Sequence, residues 1–303
     1  MTADPWTIYW QADNRDSCIA TAVPDDAEQI AALWRDFAGC LADGGMVLDL
    51  ATGNGTVPAA LLAGNPTLKI TGVDRAEINP LQFLSAPGPL HGVTFMGSVD
   101  VCSLPFDADS FDAVTSQFGI EYADFDRSLP EAARVIRAGG RLAFMMHHVD
   151  SAVVLPAQSR LQEMQGLLQS GGVVELLSAF VAGDRAFAEL DAAGKRHLDG
   201  AVERTAGVTG QIFEGVRTAV RLLQAGRAGE ARELSSTMSL RLRADRDRLR
   251  QLAAAAQDAT QFGRTANRLR QLGLDVDVAA EWHLPESSGT TTLLGWQLMC
   301  TKQ

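Results

Sequence analysis

Residues 47–56, Val-Leu-Asp-Leu-Ala-Thr-Gly-Asn-Gly-Thr, set a short apolar run, an acid and a tight glycine turn in front of an Ala/Leu-rich segment. Strand, glycine turn and helix in that order build an open α/β sheet, and they place a ligand crevice at its carboxyl edge. Gly53 and Gly55 let the main chain come close to a ligand where a Cβ would collide. The turn is no phosphate cradle of the GxxxxGK[ST] kind, because Thr56, Val57 and Pro58 follow Gly55. Asp49, just before the turn, would repel a phosphate, so a cationic or zwitterionic ligand suits the site better.

The next hundred residues extend the pattern. Leu68–Asp74 is a second strand-like run, and it ends in an acid about twenty residues beyond the turn, the expected partner of a ribose diol. A third run, Gly92–Gly97, leads to Asp100 and Leu104-Pro105-Phe106. Ser110–Ser116 and Arg134–Phe144 follow as further strand candidates.

With these segments in register, the chain resembles the class I S-adenosylmethionine-dependent methyltransferases, in the branch of ubiquinone/menaquinone-pathway and related small-molecule enzymes. The matching segments are LDLATGNG (48–55), GVD (72–74), DVCSLPF (100–106), SFDAVTSQFGIEY (110–122) and EAARVIRAGGRL (131–142). The resemblance implies S-adenosyl-L-methionine as cofactor. In it, Gly53 and Gly55 line the methionine part and Asp49 sits near its amino group, with Ala51 and Asn54 in the same turn. Asp74 binds the ribose hydroxyls and Arg75 lies beside the adenine. Asp100 accepts from the adenine amino group, the Val101 backbone donates to the ring, and Gln117 lies under the sulfonium. One departure stands out: Ala51 occupies the place of the first glycine in the family's usual turn.

The implied fold is α/β, a Rossmann-like doubly wound seven-stranded mixed sheet whose last strand runs antiparallel. Four parts follow. Residues 1–44 hold an aromatic segment (Trp6, Tyr9, Trp10) and a helix over 25–42 with Asp25 or Asp26 as its cap; residues 45–150 hold the cofactor-binding core. Residues 151–270 are rich in Ala, Leu, Arg, Gln and Glu and read as a large helical insertion between the fifth and sixth strands; 271–303 supply the last two strands. About 120 residues cannot be a structureless loop in a compact domain, so the insertion is expected to be a cap, a homodimer surface or a plain stabilising appendage.

Composition narrows the partners. A formal net charge of −11 disfavours a surface that tracks phosphates, which argues against nucleic acid. The Asn/Asp-Pro-Pro-Tyr signature of amino-methylating nucleic-acid enzymes is absent where Ser116-Gln117-Phe118-Gly119 stands. Cys18, Cys40, Cys102 and Cys300 are scattered without metal-ligand spacing, and reduced thiols are expected. No apolar run approaches the ~18 residues of a membrane span, and the start lacks a basic and apolar leader, so the expectation is a cytoplasmic protein.

Methyl transfer needs alignment and dryness first, and a base only when the acceptor keeps its proton at neutral pH. His147 and His148 close the fifth strand, where neighbours face opposite sides; one is expected to reach the pocket, unless one is a core residue and the other solvated. Glu121 either takes a proton or orients an amine, or else caps the following helix. Tyr122 stands beside it, and Trp6, Tyr9 and Trp10 form either a lid over the acceptor or a clasp on the domain. Trp282 and His283 are placed between the last two strands. Asp245 and Asp247 interleave the arginines of 241–250, so that run reads as an ion-paired helix rather than an RNA strip; Met145-Met146 reads as core. The function expected is methyl transfer to a small-molecule O, N or C nucleophile, the acceptor aromatic or isoprenoid. The alternatives are a non-methylating use of the same cofactor and a cofactor-binding regulatory or interaction protein.

Overall fold

The computed structural model describes residues 4–12, 14, 24–200, 207–285 and 289–303, and of residues 24–26 the backbone alone. Cys18 and the side chains of Asp25 and Asp26 therefore lie outside the described residues. The chain divides into two compact units, one made of residues 1–155 and 251–303, the other of 156–250.

The first unit opens with helix α1 (Pro5–Trp10), which starts at a proline and is capped by the Asp4 carboxylate, and α2 (Pro24–Gly39). Strand and helix then alternate: β1 (Met46–Leu50), α3 (Thr56–Gly64), β2 (Lys69–Val73), the single turn α4 (Pro80–Phe83), β3 (Thr94–Met96), β4 (Phe111–Gln117), α5 (Phe125–Val135) and β5 (Ile136–Met146). After β5 come α6 (Val154–Leu168), α7 (Val173–Ala182), α8 (Phe187–Gly200), α9 (Gly207–Gln224), α10 (Ala228–Ala255) and α11 (Ala259–Gln271), before β6 (Leu274–Pro285) and β7 (Thr291–Lys302). The sheet has the order β3-β2-β1-β4-β5-β7-β6, with the first five strands parallel and β7 antiparallel to both neighbours. This is the doubly wound seven-stranded mixed sheet that the resemblance implies.

Strand alternation divides the apolar residues between two faces. Leu48, Leu50, Val114, Leu142, Phe144 and Met146 pack in one buried cluster with Leu129 and Val135 of α5 and Phe262, Ala266 and Leu269 of α11. Val47, Ala113, Ala143 and Met145 pack in the other with Ile30, Trp34 and Phe37 of α2 and Ala60 and Leu61 of α3. Helix α11 starts at a capping box: Asp258 accepts from the Gln261 amide at 2.7 Å, and the Gln261 side chain accepts from the Asp258 amide at 2.9 Å.

Three local expectations change. Arg134 and Val135 finish α5 instead of starting a strand, because the Arg134 guanidinium is held by Glu131 at 2.7 Å and by the Phe106 carbonyl at 2.7 Å. Trp282 and His283 lie inside β6, which continues across a register shift between them. The cap of α5 is Asp124, which accepts from the Asp126 amide at 3.0 Å, so Glu121 does not serve that helix.

In the second unit, Val173, Val174, Leu177 and Val181 of α7 are buried, as are Leu190 and Ala193 of α8. Glu163 accepts from the Thr209 amide at 2.6 Å, and the Thr209 hydroxyl meets His197 Nε2 at 2.9 Å. In the arginine-rich stretch Arg246 pairs with Asp247 and Arg248 with Asp245, while Leu242 and Leu249 are buried. That is an ion-paired amphipathic helix.

The strand order reverses between the parallel neighbours β1 and β4, and the two chain segments leaving that point crowd each other. Ala51 after β1 and Phe118 after β4 both hold positive φ, 55° and 52°. Gly119 has no room for a side chain: an added Cβ would stand 2.4 Å from the Ala51 Cβ. Gly119→Ala is therefore expected to cost about 1–3 kcal/mol of stability by overpacking. The double variant Gly119→Ala/Ala51→Gly removes the colliding atom and should recover most of the loss in thermal denaturation. Equal destabilisation in both variants would show that the crowding lies elsewhere.

Candidate active site

At this reversal the first unit encloses a cavity of about 630 Å³. Its floor is the carboxyl edge of the sheet, where an open α/β sheet with this winding leaves its crevice. Strand β2 hands over to Asp74, whose backbone amide still donates to Met96 at 3.0 Å and whose carbonyl accepts from Val99 at 2.9 Å. The Asp74 carboxylate accepts from the Gly53 amide at 2.9 Å with one oxygen and from the Ala76 amide at 2.9 Å with the other. Burial raises its pKa to about 6, against the pull of those amides. Asp100 is exposed at the rim, and the Cys102 amide, donating at 2.9 Å, holds its pKa below the usual carboxylate value.

Asp49 is different. It is buried at the end of β1 beneath the turn, where the Thr115 hydroxyl donates to it at 2.8 Å, and burial lifts its pKa to about 7. It does not form part of the cavity wall.

Strand β4 ends at Gln117, on the sheet face that carries α2. Trp34 of α2, wholly buried, donates its indole N–H to Gln117 Oε1 at 2.5 Å. The chain then passes Phe118 and Gly119 into a 3-10 helix, Ile120–Tyr122, that brings Glu121 and Tyr122 to the cavity. One Glu121 oxygen, Oε1, accepts from both the His147 amide at 2.9 Å and the His147 ring at 2.7 Å. The second oxygen, Oε2, is buried without a hydrogen-bond partner. The His147 ring lies 4.6 Å from that of Phe118 and 5.9 Å from that of Tyr122, and it stays behind Glu121, outside the cavity wall.

Helix α1 contributes the aromatic side. The Trp10 ring lies on the glycine turn, where a Cβ at Gly53 would meet it at 2.4 Å. Asn54 clasps the same segment by donating to the Trp10 carbonyl at 2.9 Å and the Asn14 carbonyl at 2.6 Å. Trp6 donates to Gln251 Oε1 at 2.8 Å and meets Tyr122 edge-on at 5.4 Å.

The cavity thus gathers Ala51, Asp74, Arg75, Asp100, Val101, Gln117, Glu121, Tyr122, Trp6 and Trp10 from the sequence candidates. It does not gather Asp49, Gly53, Asn54, Gly55, Tyr9, His147 or His148 into its wall. His148 faces away from His147, 4.5 Å from the Trp296 ring, and its Nδ1 accepts from the Asp150 amide. Tyr9 packs edge-on against Trp10. Sequence reasoning missed Thr52, Cys102, Arg127 and the end of α10, Gln251, Ala254 and Ala255. Cys102 and Thr52 sit inside quoted motifs, whereas nothing local marks Gln251.

A doubly wound sheet with this strand order, an acid after β2, another after β3, and one crevice at the β1/β4 reversal is the architecture of a class I S-adenosylmethionine-dependent methyltransferase. Residues 48–144, about a third of the chain, match the family model described as a methyltransferase domain. Among known proteins, the chain is similar to the ubiquinone/menaquinone biosynthesis C-methyltransferase of Geotalea daltonii, 30% identical over 48% of this chain and 66% of that one. It is similar to the malonyl-[acyl-carrier protein] O-methyltransferase of Methylococcus capsulatus, 38% identical over 32% of this chain and 36% of the other. The demethylmenaquinone methyltransferase of Thermus thermophilus is 36% identical over 33% of this chain and 46% of its own. The chain thus spans between 36% and 66% of the length of these relatives. Among the described residues, no helix is long and apolar enough to cross a membrane, and no cluster of three or more ligating side chains is suited to a metal ion.

Asp49 yields a stability prediction. A carboxyl whose pKa is raised by folding destabilises the folded state once it ionises, so the penalty grows as pH rises from about 4 to about 7. Asp49→Asn removes that charge and keeps an acceptor for Thr115. Urea denaturation should find the variant more stable than the parent at pH 8, with the gap narrowing at pH 5. A constant gap would mean that Asp49 ionises without penalty.

Proposed function

We propose that the protein is an S-adenosylmethionine-dependent methyltransferase whose acceptor is a small aromatic or isoprenoid molecule. The observation that carries this reading is the shared cavity: Asp74 and Asp100 on one side, Gln117 and Glu121 with aromatic walls on the other. The residues fit the cofactor. Asp74, pinned by two backbone amides, keeps lone pairs for a diol, and Asp100 presents a carboxylate beside the Val101 backbone. In this reading Asp74 holds the ribose, Arg75, Asp100 and Val101 hold the adenine, and the turn around Ala51 meets the methionine part. When bound, the cofactor supplies a methyl group made electrophilic by its positive sulfur. The rest of the work belongs to the protein: Trp6, Phe118 and Tyr122 exclude water and hold a flat acceptor. Glu121 is the general base of this reading, and His147, bonded twice to Oε1, fixes its carboxylate. The relatives whose names specify quinone biosynthesis support an aromatic acceptor, and the acidic surface supports one that is not a nucleic acid.

Two outcomes test the assignments. Asp74→Asn should weaken S-adenosylhomocysteine binding by about 1.5–3 kcal/mol, the worth of charge-assisted hydrogen bonds. The ligand favours the ionised carboxylate, so affinity in the parent should fall as pH drops through about 6, and binding near that pH should release protons. Calorimetry in buffers of different ionisation enthalpy reads both, and unchanged affinity in the variant removes Asp74 from the site.

Glu121→Gln should lower turnover about 100- to 10,000-fold, the usual worth of a general base, and leave S-adenosylhomocysteine affinity intact. The assay is formation of S-adenosylhomocysteine from labelled cofactor across a panel of phenols, quinols and amines. Cofactor binding with no transfer to any of them would count against the methyltransferase reading.

A further inference from the structure

Arg127 stands where a helix has least use for a cation. It is the third residue of α5 after the Asp124 cap, and a positive charge in the first turn opposes the helix dipole. Arg127 is exposed and lines the cavity, and its guanidinium makes no hydrogen bond or salt bridge with any described residue. Asp100 feels its charge, which helps to hold that carboxyl low, but no salt bridge joins the two. The fold draws little from the charge, and a ligand in the cavity is the partner that accounts for it.

Two contacts fix α5 against the loop that carries Asp100. The Cys102 thiol meets the Asp124 carbonyl at 3.8 Å, and the Leu104 amide donates to Glu131 Oε2 at 2.7 Å. The Cys102 amide occupies Asp100 Oδ1, which leaves Oδ2 for a ligand. Asp100 and Arg127 therefore border one space from two elements that are tied together. The first can only accept, because its carboxyl is ionised; the second can only donate.

From this we propose that Arg127 reads N7 of the cofactor's adenine and makes the site specific for the unmodified purine. The inference rests on the methyltransferase reading and adds a residue to its adenine subsite. Adenine carries its amino group between two ring nitrogens, N1 and N7, and both are acceptors. Asp100 takes a proton of the amino group in a hydrogen bond. Val101 is joined to Asp100 in the chain and serves N1 with its backbone. Arg127 arrives from α5, a separate element, and serves N7 on the other side.

Two ligands that differ at one ring position test this: S-adenosylhomocysteine and its 7-deaza analogue, in which C–H replaces N7. Both are titrated by calorimetry into the full chain. The parent is expected to bind the analogue about tenfold more weakly or worse, the low end of what a charge-assisted hydrogen bond is worth. Arg127→Met keeps an unbranched apolar stem and removes the donor. It should weaken S-adenosylhomocysteine by a similar factor and bring the two ligands to within about threefold of each other. Arg127→Leu repeats the test should the first variant fail to fold; both replacements are strong helix formers. Without ligand, thermal denaturation should find the variants at least as stable as the parent, because a cation has left the first turn, whereas a structural role for Arg127 would lower them. A parent that binds both ligands alike overturns the inference, and a guanidinium that only stacked on the ring would give that result. A preference that survives both substitutions overturns it as well. Parent protein that binds neither ligand overturns instead the methyltransferase reading on which the inference stands.

Discussion

Two adjacent parallel strands, β1 and β4, pass their chains to opposite sides of the sheet, and everything at the site is arranged around the gap they leave. The gap is narrow. Ala51 and Phe118 bend through a left-handed conformation at its two lips, and Gly119 faces the Ala51 methyl with no side chain of its own. A wider separation would let Glu121 fall away from the crevice, because the short 3-10 helix that carries it starts directly after Gly119. The same closeness lets one carboxylate, Asp74, bind amides from two different segments, tying the glycine turn to the end of β2.

Burial of charge is the second consequence. Asp49 and Asp74 are both nearly closed off from solvent, and both have their pKa raised by it, to about 7 and about 6. Folding thus keeps two acids near neutral pH in a condition that is unfavourable for them, each offset only in part by hydrogen bonds. Of the two, only Asp74 borders the cavity; Asp49 carries the same cost beneath the turn. Glu121 achieves a fixed position another way, through two bonds from one histidine to one oxygen.

The sheet was legible because its signals are local. Five strand-sized apolar runs with acids or glycines at their ends specify a doubly wound core, and the observed β1, β2, β4 and β5 lie within or beside those runs. The antiparallel sense of the last strand came from the resemblance alone, since a Thr-rich strand carries no mark of its direction. Within the site, Asp74, Asp100 and Gln117 follow strand ends and could be placed by counting. What counting could not supply was depth. Nothing in the sequence distinguishes Asp49, under the turn, from Asp74, in the wall, and nothing separates His147, which backs Glu121, from a histidine that enters the cavity. The bond from Trp34 to Gln117 spans 83 residues and joins a helix with no motif to a strand end that has one. Only tertiary packing reveals it.

The placement of the tryptophans gives the molecule an optical readout of its own. Of its five, Trp6 and Trp10 line the cavity, and Trp34 is one hydrogen bond away from it through Gln117. Trp10 rests on the glycine turn, and Trp6 is tethered to Gln251 and meets Tyr122 edge-on. Indole emission depends on the polarity and the charges around the ring, so a molecule entering this space changes the light from the majority of the emitters at once. Occupancy can be followed in unlabelled protein, at low concentration and in real time.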